Sequence, residues 1–486
     1  MINHFMSSKK LVIFHCLLCL TLASQLGCKG NKEDKNPATE TTTTKTDTGA
    51  WETAPEYKPL QLTEAIPEIK DLGEYEGAHA YQVGELMVVH KPTQANQIVS
   101  AQLFFIGGSQ RLTANTTGIE KLALSVAVEG GTESTPKDEF NAKLDSMGAS
   151  IGSFAGRDDS GIAMKTILRH FDDTWDLMVE AAFEPAMPTD VIELQRKQTL
   201  ARIDSLLENP DSQVSFVATE LMFKDHPYAH RQLGTREVVS EVSREELRAW
   251  QRELLQPNQM LLVVAGNVPK DKLLGKIQKS FGRLTSTREA LPALPTLQSK
   301  EPAFEFVQRD LPTNYVFGLF QAPKIGDPDH AAMVLAMDYL SDRLFEEVRT
   351  KRNLTYAVSA GISGQKANYG YLYVTAVDPQ TTMKVIFDEV QNLKEAPITE
   401  QQLTETLNVY ITNHYMSQET NGSQAAELAN SHIVTGDWTY EYKLIDALKQ
   451  VKPEDIQRVS KKYLHNYHFA VVGPDESKVP TTLFEQ

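Results

Sequence analysis

Cysteine is nearly missing from this chain. Its 486 residues include three, Cys16, Cys19 and Cys28, all near the start. No disulfide framework can staple the body, and no thiolate metal site can form in it. Positive charge is also short, with 48 Lys plus Arg against 64 Asp plus Glu, a net charge of -16. That sign argues against a nucleic-acid partner, because phosphate recognition needs a basic face. Long apolar runs are the third scarcity. Leu11 to Leu22 is the one such run, and it is too short for a comfortable membrane span.

That run follows Lys9 and Lys10 and leads through small and polar residues to Cys28, the pattern of an export signal. Gln25-Leu26-Gly27-Cys28 resembles a bacterial lipobox, with Gln25 where Leu is usual. The resemblance implies a signal peptide over 1–28, discarded with Cys16 and Cys19, and a lipid on Cys28. The expected location is the periplasmic side of a bacterial cell envelope. Lys29, in place of Asp after the cysteine, points to the outer membrane. Residues 29–65 read as a tether: they turn polar, with Thr41 to Thr44 in a row, and offer little apolar surface to bury.

What is present is a globular body with a repeat. Hydrophobic residues make up 41% of the chain, enough for a sizeable core. Ser243, with Glu246 three residues on, forms a capping box that opens a helix to about Leu255; Met260 to Ala265 then reads as an apolar strand ending at Gly266. Pro453, placed where a first helical turn accepts proline, opens a helix to about Leu464, and His468 to Val472 leads to Gly473. Val242 and Val451, Leu247 and Ile456, and Leu255 and Leu464 are each 209 residues apart. Strands also open both halves, at Ser100 to Ile106 and Asn314 to Gln321. Strands, then helices, then a closing strand predict an α+β fold: two homologous domains, each a mainly antiparallel sheet packed with helices. We place them at 66–288 and 302–486, with a Pro-containing linker over 289–301.

The order of short pieces along the body resembles the pitrilysin and mitochondrial processing peptidase family, the inverted-zinc-motif metallopeptidases. The pieces are Leu103-Phe104-Phe105-Ile106 before Gly107-Gly108-Ser109, the helix start at Gly118, and Asp225-His226-Pro227-Tyr228 with Leu233-Gly234-Thr235. They continue with Pro257-Asn258 before Val263-Val264-Ala265-Gly266, Arg343-Leu344-Phe345, and Arg352-Asn353-Leu354-Thr355-Tyr356. Catalysis in that family uses H-x-x-E-H on a helix plus a distant Glu: the His pair holds zinc, and the inner Glu deprotonates its water. With Gly118 aligned, Lys121 and Ser125 take the two His positions, Leu124 the general-base position, and Arg202 the distant Glu position. The resemblance therefore implies a degenerate site, with no metal or other cofactor in this chain. His226 with His230, and His465 with His468, are spaced like ligand pairs. Pro227 disfavours a shared helical face for the first, and neither pair has a Glu suitably placed.

A second set of residues is intact. Arg352 and Tyr356 match the Arg and Tyr that family members supply from the second domain, where they hold a substrate carbonyl and its oxyanion. We expect Asp338 to Lys351 to be helical, Asn353 to replace a cap glycine, and Leu354 to Gly361 to be a strand with Tyr356 on one face. The resemblance implies an inactive-alone subunit of a heterodimeric envelope metallopeptidase. A homologous partner would carry zinc, and this chain would contribute Arg352, Tyr356 and half the chamber around a polypeptide substrate. The alternative is a catalytically inactive scaffold or peptide-binding pseudopeptidase, pairing peptides along an edge strand at Ser160 to Ile167.

Overall fold

A computed structural model describes residues 50–479 and 481–484. The export signal, Cys28 and the Thr-rich part of the tether lie outside the described residues. Among the described residues no helix is long and apolar enough to cross a membrane.

The first half runs β1 (Ile69–Tyr75), β2 (Ala78–Val83), β3 (Leu86–Lys91), β4 (Ile98–Ile106), α1 (Ile119–Glu129), α2 (Lys137–Met147), β5 (Ser150–Ala155) and β6 (Asp159–Ile167). It continues with α3 (Phe171–Phe183), α4 (Thr189–Glu208), α5 (Pro210–Phe223), α6 (Arg236–Glu241), α7 (Arg244–Glu253), β7 (Met260–Ala265) and α8 (Lys270–Lys279). The second half runs β8 (Ala303–Gln308), β9 (Asn314–Gln321), α9 (His330–Leu344), β10 (Val358–Ile362), β11 (Tyr369–Ala376) and α10 (Pro379–Glu395). It ends with α11 (Glu400–Ser417), α12 (Asn421–Thr435), α13 (Tyr440–Leu448), α14 (Pro453–Tyr463) and β12 (His468–Gly473).

Both halves build one topology. The first sheet has the order β1-β2-β3-β7-β4-β6-β5, and the second reads β8-β12-β9-β11-β10 from the matching edge. In each, one pair is parallel, β3 with β7 and β8 with β12, and the rest are antiparallel. The two homologous α+β domains expected from the repeat are present, and the repeated helix and closing strand are α7–β7 and α14–β12. Ser243 caps α7 reciprocally with Glu246, satisfying two backbone donors at its start.

Each sheet is covered on both faces, and the second cover comes from the other half. Met260, Leu262 and Val264 of β7 join the first domain's own core. Their alternates Leu261, Val263 and Ala265 pack on Ala425, Leu428, Ala429 and Ile433 of α12. Reciprocally, Phe469 and Val471 of β12 face their own helices, while Ala470 and Val472 meet Val214, Val217 and Ala218 of α5. A strand covered on both faces must be apolar at every position, which explains the unbroken run of β7. Each large side chain so buried contributes ~1.5–3 kcal/mol.

Two expectations need correction. Ser160 to Ile167 is not an edge, because β6 pairs with β4 on one side and β5 on the other. The edge strand is β5, since Gly156 and Arg157 merely turn the hairpin. The second part of the segment read as a tether over 29–65 is bound to the body. Trp51 stacks edge-on against Trp250 at 4.6 Å, donates its N–H to the Arg111 carbonyl at 2.8 Å, and its carbonyl accepts from the Thr116 hydroxyl. Leu62 then bridges to Leu284. One tryptophan with an apolar partner and backbone acceptors ties down an otherwise polar stretch. The linker is held likewise, through Gln110 to the Pro292 carbonyl and His226 to the Pro295 carbonyl.

The halves also meet at the β5–β6 hairpin. The Tyr228 hydroxyl donates to Asp158 Oδ1, and the backbone N–H of Lys366 donates to Asp158 Oδ2 at 3.0 Å. Arg157 lies over the rings of Phe223, Tyr228 and Tyr369 and donates to the Tyr369 hydroxyl at 3.0 Å. Beside them, burial and then the Asp158 charge push Asp159 up to about 7 from 3.8. A carboxyl raised on folding stabilises the protein while protonated and loses that contribution as pH rises toward 7. Asp159→Asn should therefore match wild type near pH 4 and unfold at higher urea than wild type at pH 8. Urea denaturation at the two pH values measures the crossover.

Candidate functional site

Helix α1 starts where two glycines touch. Gly118 has φ 89°, and a Cβ there would lie 2.7 Å from Cα of Gly234, itself at φ 83°. Only glycine allows that approach and that conformation. Thr235 then caps α6 through the Val238 N–H. Two short pieces far apart in sequence, Gly118 and Leu233-Gly234-Thr235, thus form one contact, which fixes the register of α1.

From that start Lys121 and Ser125 lie one turn apart on α1, both half-buried, while Leu124 is fully buried in the core. Arg202 lies exposed on α4, which packs against α1. Lys121 is pushed below its ordinary range, first by burial and then by the positive charge of Arg202. The structure thus brings Lys121 and Arg202 into electrostatic range of each other. Zinc needs lone-pair donors of nitrogen, oxygen or sulfur at roughly 2.0–2.3 Å. An ammonium, a guanidinium and an isobutyl group provide none, and one neutral hydroxyl does not make a site. These residues do not fit zinc.

The second set stands on a different support. Helix α9 begins at His330, earlier than expected, and gives way at Leu344 to a π-helical turn over Phe345–Thr350. Asn353 then takes φ 52°, a left-handed conformation that asparagine tolerates. Within this turn the Glu347 carboxylate receives Arg343 at 2.8 Å, Lys351 at 2.7 Å and Arg352 at 2.6 Å. Those bonds, Lys351 and Arg352 first, hold its pKa down at about 2. Only Nη1 of Arg352 is engaged, by the Glu347 carboxylate and carbonyl; Nε and Nη2 have no partner among the described residues. Sequence reading missed Glu347, although its neighbours carry opposite charge at helical spacing.

Tyr356 is not in a strand. The Thr355 hydroxyl is buried and accepts from the Ala357 N–H at 3.0 Å, a local turn that delays β10 to Val358. Tyr356 is 86% exposed, and its hydroxyl has no partner among the described residues. No hydrogen bond or ion pair joins Arg352 or Tyr356 to Lys121, Ser125 or Arg202.

Residues 87–236 match the model for insulinase, peptidase family M16, and residues 241–410 match the model for the peptidase M16 inactive domain. The chain belongs to peptidase family M16. An uncharacterized zinc protease of Mycobacterium leprae is 24% identical over 407 residues, 81% of this chain and 91% of the relative. A peptidase M16 inactive domain from Pseudomonas fluorescens has the same fold, with a TM-score of 0.73 at 17% identity over 84% of this chain and 98% of that one. A chain of Complex III2 from Candida albicans also shares it, with a TM-score of 0.68 at 16% identity over 82% and 96%.

Three of the four histidines in the two pairs are engaged in hydrogen bonds of the fold. His226 accepts the Tyr228 N–H at Nδ1 and bonds the Pro295 carbonyl through Nε2, so neither nitrogen is free. His468 bonds the Ser299 hydroxyl and His465 the Lys462 carbonyl. One cluster was invisible in the sequence: His414, Glu427 and Glu441, from three successive helices, place one donor atom each within 4.8 Å of one another.

Replacing the wrong donors tests the reading of α1 and α4. The variant Lys121→His, Ser125→His, Arg202→Glu leaves buried Leu124 in place and should hold one more equivalent of zinc than wild type. Elemental analysis of both proteins checks it. Equal zinc content would mean that these three positions do not converge.

Proposed function

We propose that this M16 chain is the subunit without the catalytic zinc in a heteromeric envelope metallopeptidase, presenting Arg352 and Tyr356 to a polypeptide held against a homologous partner that carries that zinc. The observation that carries the reading is the state of Tyr356. An exposed phenol with a free hydroxyl, four residues after an arginine anchored by one nitrogen only, is what a contributor to another chain's site needs. The anchored guanidinium would hold a substrate carbonyl with its free edge, and the phenol would donate to the developing oxyanion. The cations Lys121 and Arg202 support the same division of labour, since zinc would have to come from elsewhere.

A second reading, a scaffold or peptide-binding pseudopeptidase, is favoured by the likeness to a chain of Complex III2 and to an M16 inactive domain. The test uses the chain reconstituted with a zinc-bearing M16 partner. Tyr356→Phe removes one exposed hydroxyl, so stability and assembly should stay within ~0.5 kcal/mol of wild type. Turnover should fall roughly a hundred- to thousandfold, the ~2.7–4 kcal/mol of one oxyanion donor. Unchanged turnover in an intact complex would establish the scaffold instead.

The envelope part of the proposal rests on Cys28 and the lipobox-like sequence before it. Cys28→Ser should move the protein from the membrane pellet to the soluble envelope fraction on cell fractionation. A wild-type chain already in the soluble fraction would remove the anchor.

A further inference from the structure

The cluster on α11, α12 and α13 differs from the carboxylate of Glu347 in its charge balance. Glu347 collects three cations, whereas Glu427 and Glu441 have no Lys or Arg within ion-pair distance among the described residues. Their nearest partner is one imidazole: Nδ1 of His414 lies 3.3 Å from Glu427 Oε1 and 3.2 Å from Glu441 Oε1. The three side chains are only 8%, 22% and 19% exposed, so water screens the two carboxylates poorly. Bringing two like charges together in such a place costs stability unless a cation joins them.

We propose that His414, Glu427 and Glu441 form a divalent transition-metal site in the second domain. One imidazole nitrogen and two carboxylate oxygens are a donor set that zinc and manganese accept. Ligand bonds of ~2.0–2.2 Å put donors about 3–4 Å apart around one ion, so small side-chain movements close the observed spacing. The imidazole is oriented from behind. Its Nε2 is 2.8 Å from the Gln418 amide, which accepts the ring N–H once the amide turns its oxygen inward, and Tyr410 stacks on the ring at 6.3 Å. Such an outer partner is what holds a ligating histidine in the right tautomer. One ligand also faces open space: Glu441, with Tyr410, lines a cavity of about 350 Å³ between α9, β10, α12 and α13. Coordination positions left by three protein ligands belong to water.

The site has a mechanical consequence. It ties α11 and α13 to α12, the helix that covers the first sheet, so the ion strengthens the joint between the halves. The test is zinc and manganese binding to the chelator-stripped full chain, by calorimetry and thermal unfolding, with magnesium as the hard-cation control. Wild type should take up one equivalent of zinc or manganese. At a hundredfold excess over Kd, its Tm should rise by roughly 3 °C. The isosteric change Glu427→Gln, and separately His414→Gln, should each abolish the uptake while the metal-free proteins still unfold cooperatively. Absence of uptake by wild type would overturn the site and leave a proton shared among the three groups. Uptake that survives both substitutions would overturn it equally, by placing the metal elsewhere.

Discussion

The two halves of this protein are held together by an exchange of helices. Each sheet has one face covered by its own helices and the other by a helix from the opposite half, α12 on the first sheet and α5 on the second. Neither half can separate without exposing an apolar sheet face, so the repeat folds as one interlocked body. The polar contacts follow the same seam. Gln102 of β4 donates to the Gly422 carbonyl of α12, and Asn421 donates to the Ile98 carbonyl. At the other end Arg157 and Asp158 bind Tyr369 and the backbone of Lys366. The apolar faces supply the area, and these directional contacts set the register.

Charge is distributed against expectation for a metallopeptidase chain. Where the family resemblance places zinc ligands, Lys121 feels the charge of Arg202 across α1 and α4. Where the family resemblance places substrate-handling groups, Glu347 holds three cations and leaves part of one guanidinium free. In the second domain, two carboxylates crowd one imidazole with no Lys or Arg paired to them among the described residues.

Much of this is legible in the amino-acid sequence, because it is written in local patterns. The 209-residue spacing, the capping box at Ser243 and the apolar strands before Gly266 and Gly473 depend on short-range preferences, and they locate the repeated unit. Gly118 places Lys121, Leu124 and Ser125 because a helix converts spacing into position. Tyr356 shows where such reasoning stops. Alternation suggests a strand, but the Thr355 hydroxyl competes for the backbone and turns the chain first. The edge strand is misplaced for a related reason: whether β6 or β5 ends the sheet depends on which strand pairs next, and that is a long-range fact.

Sequence patterns alone were enough for the family and the duplicated α+β domain, since each follows from which residue occupies a position in a regular element. Tertiary structure decided what covers the second face of each sheet, that Trp51 straps part of the tether onto the body, and that His414, Glu427 and Glu441 meet. The sequence separations involved, such as 199 residues from Trp51 to Trp250, carry no periodic signal. Such contacts form only when packing brings whole elements together, because burial free energy depends on the surface removed from water and not on distance along the chain.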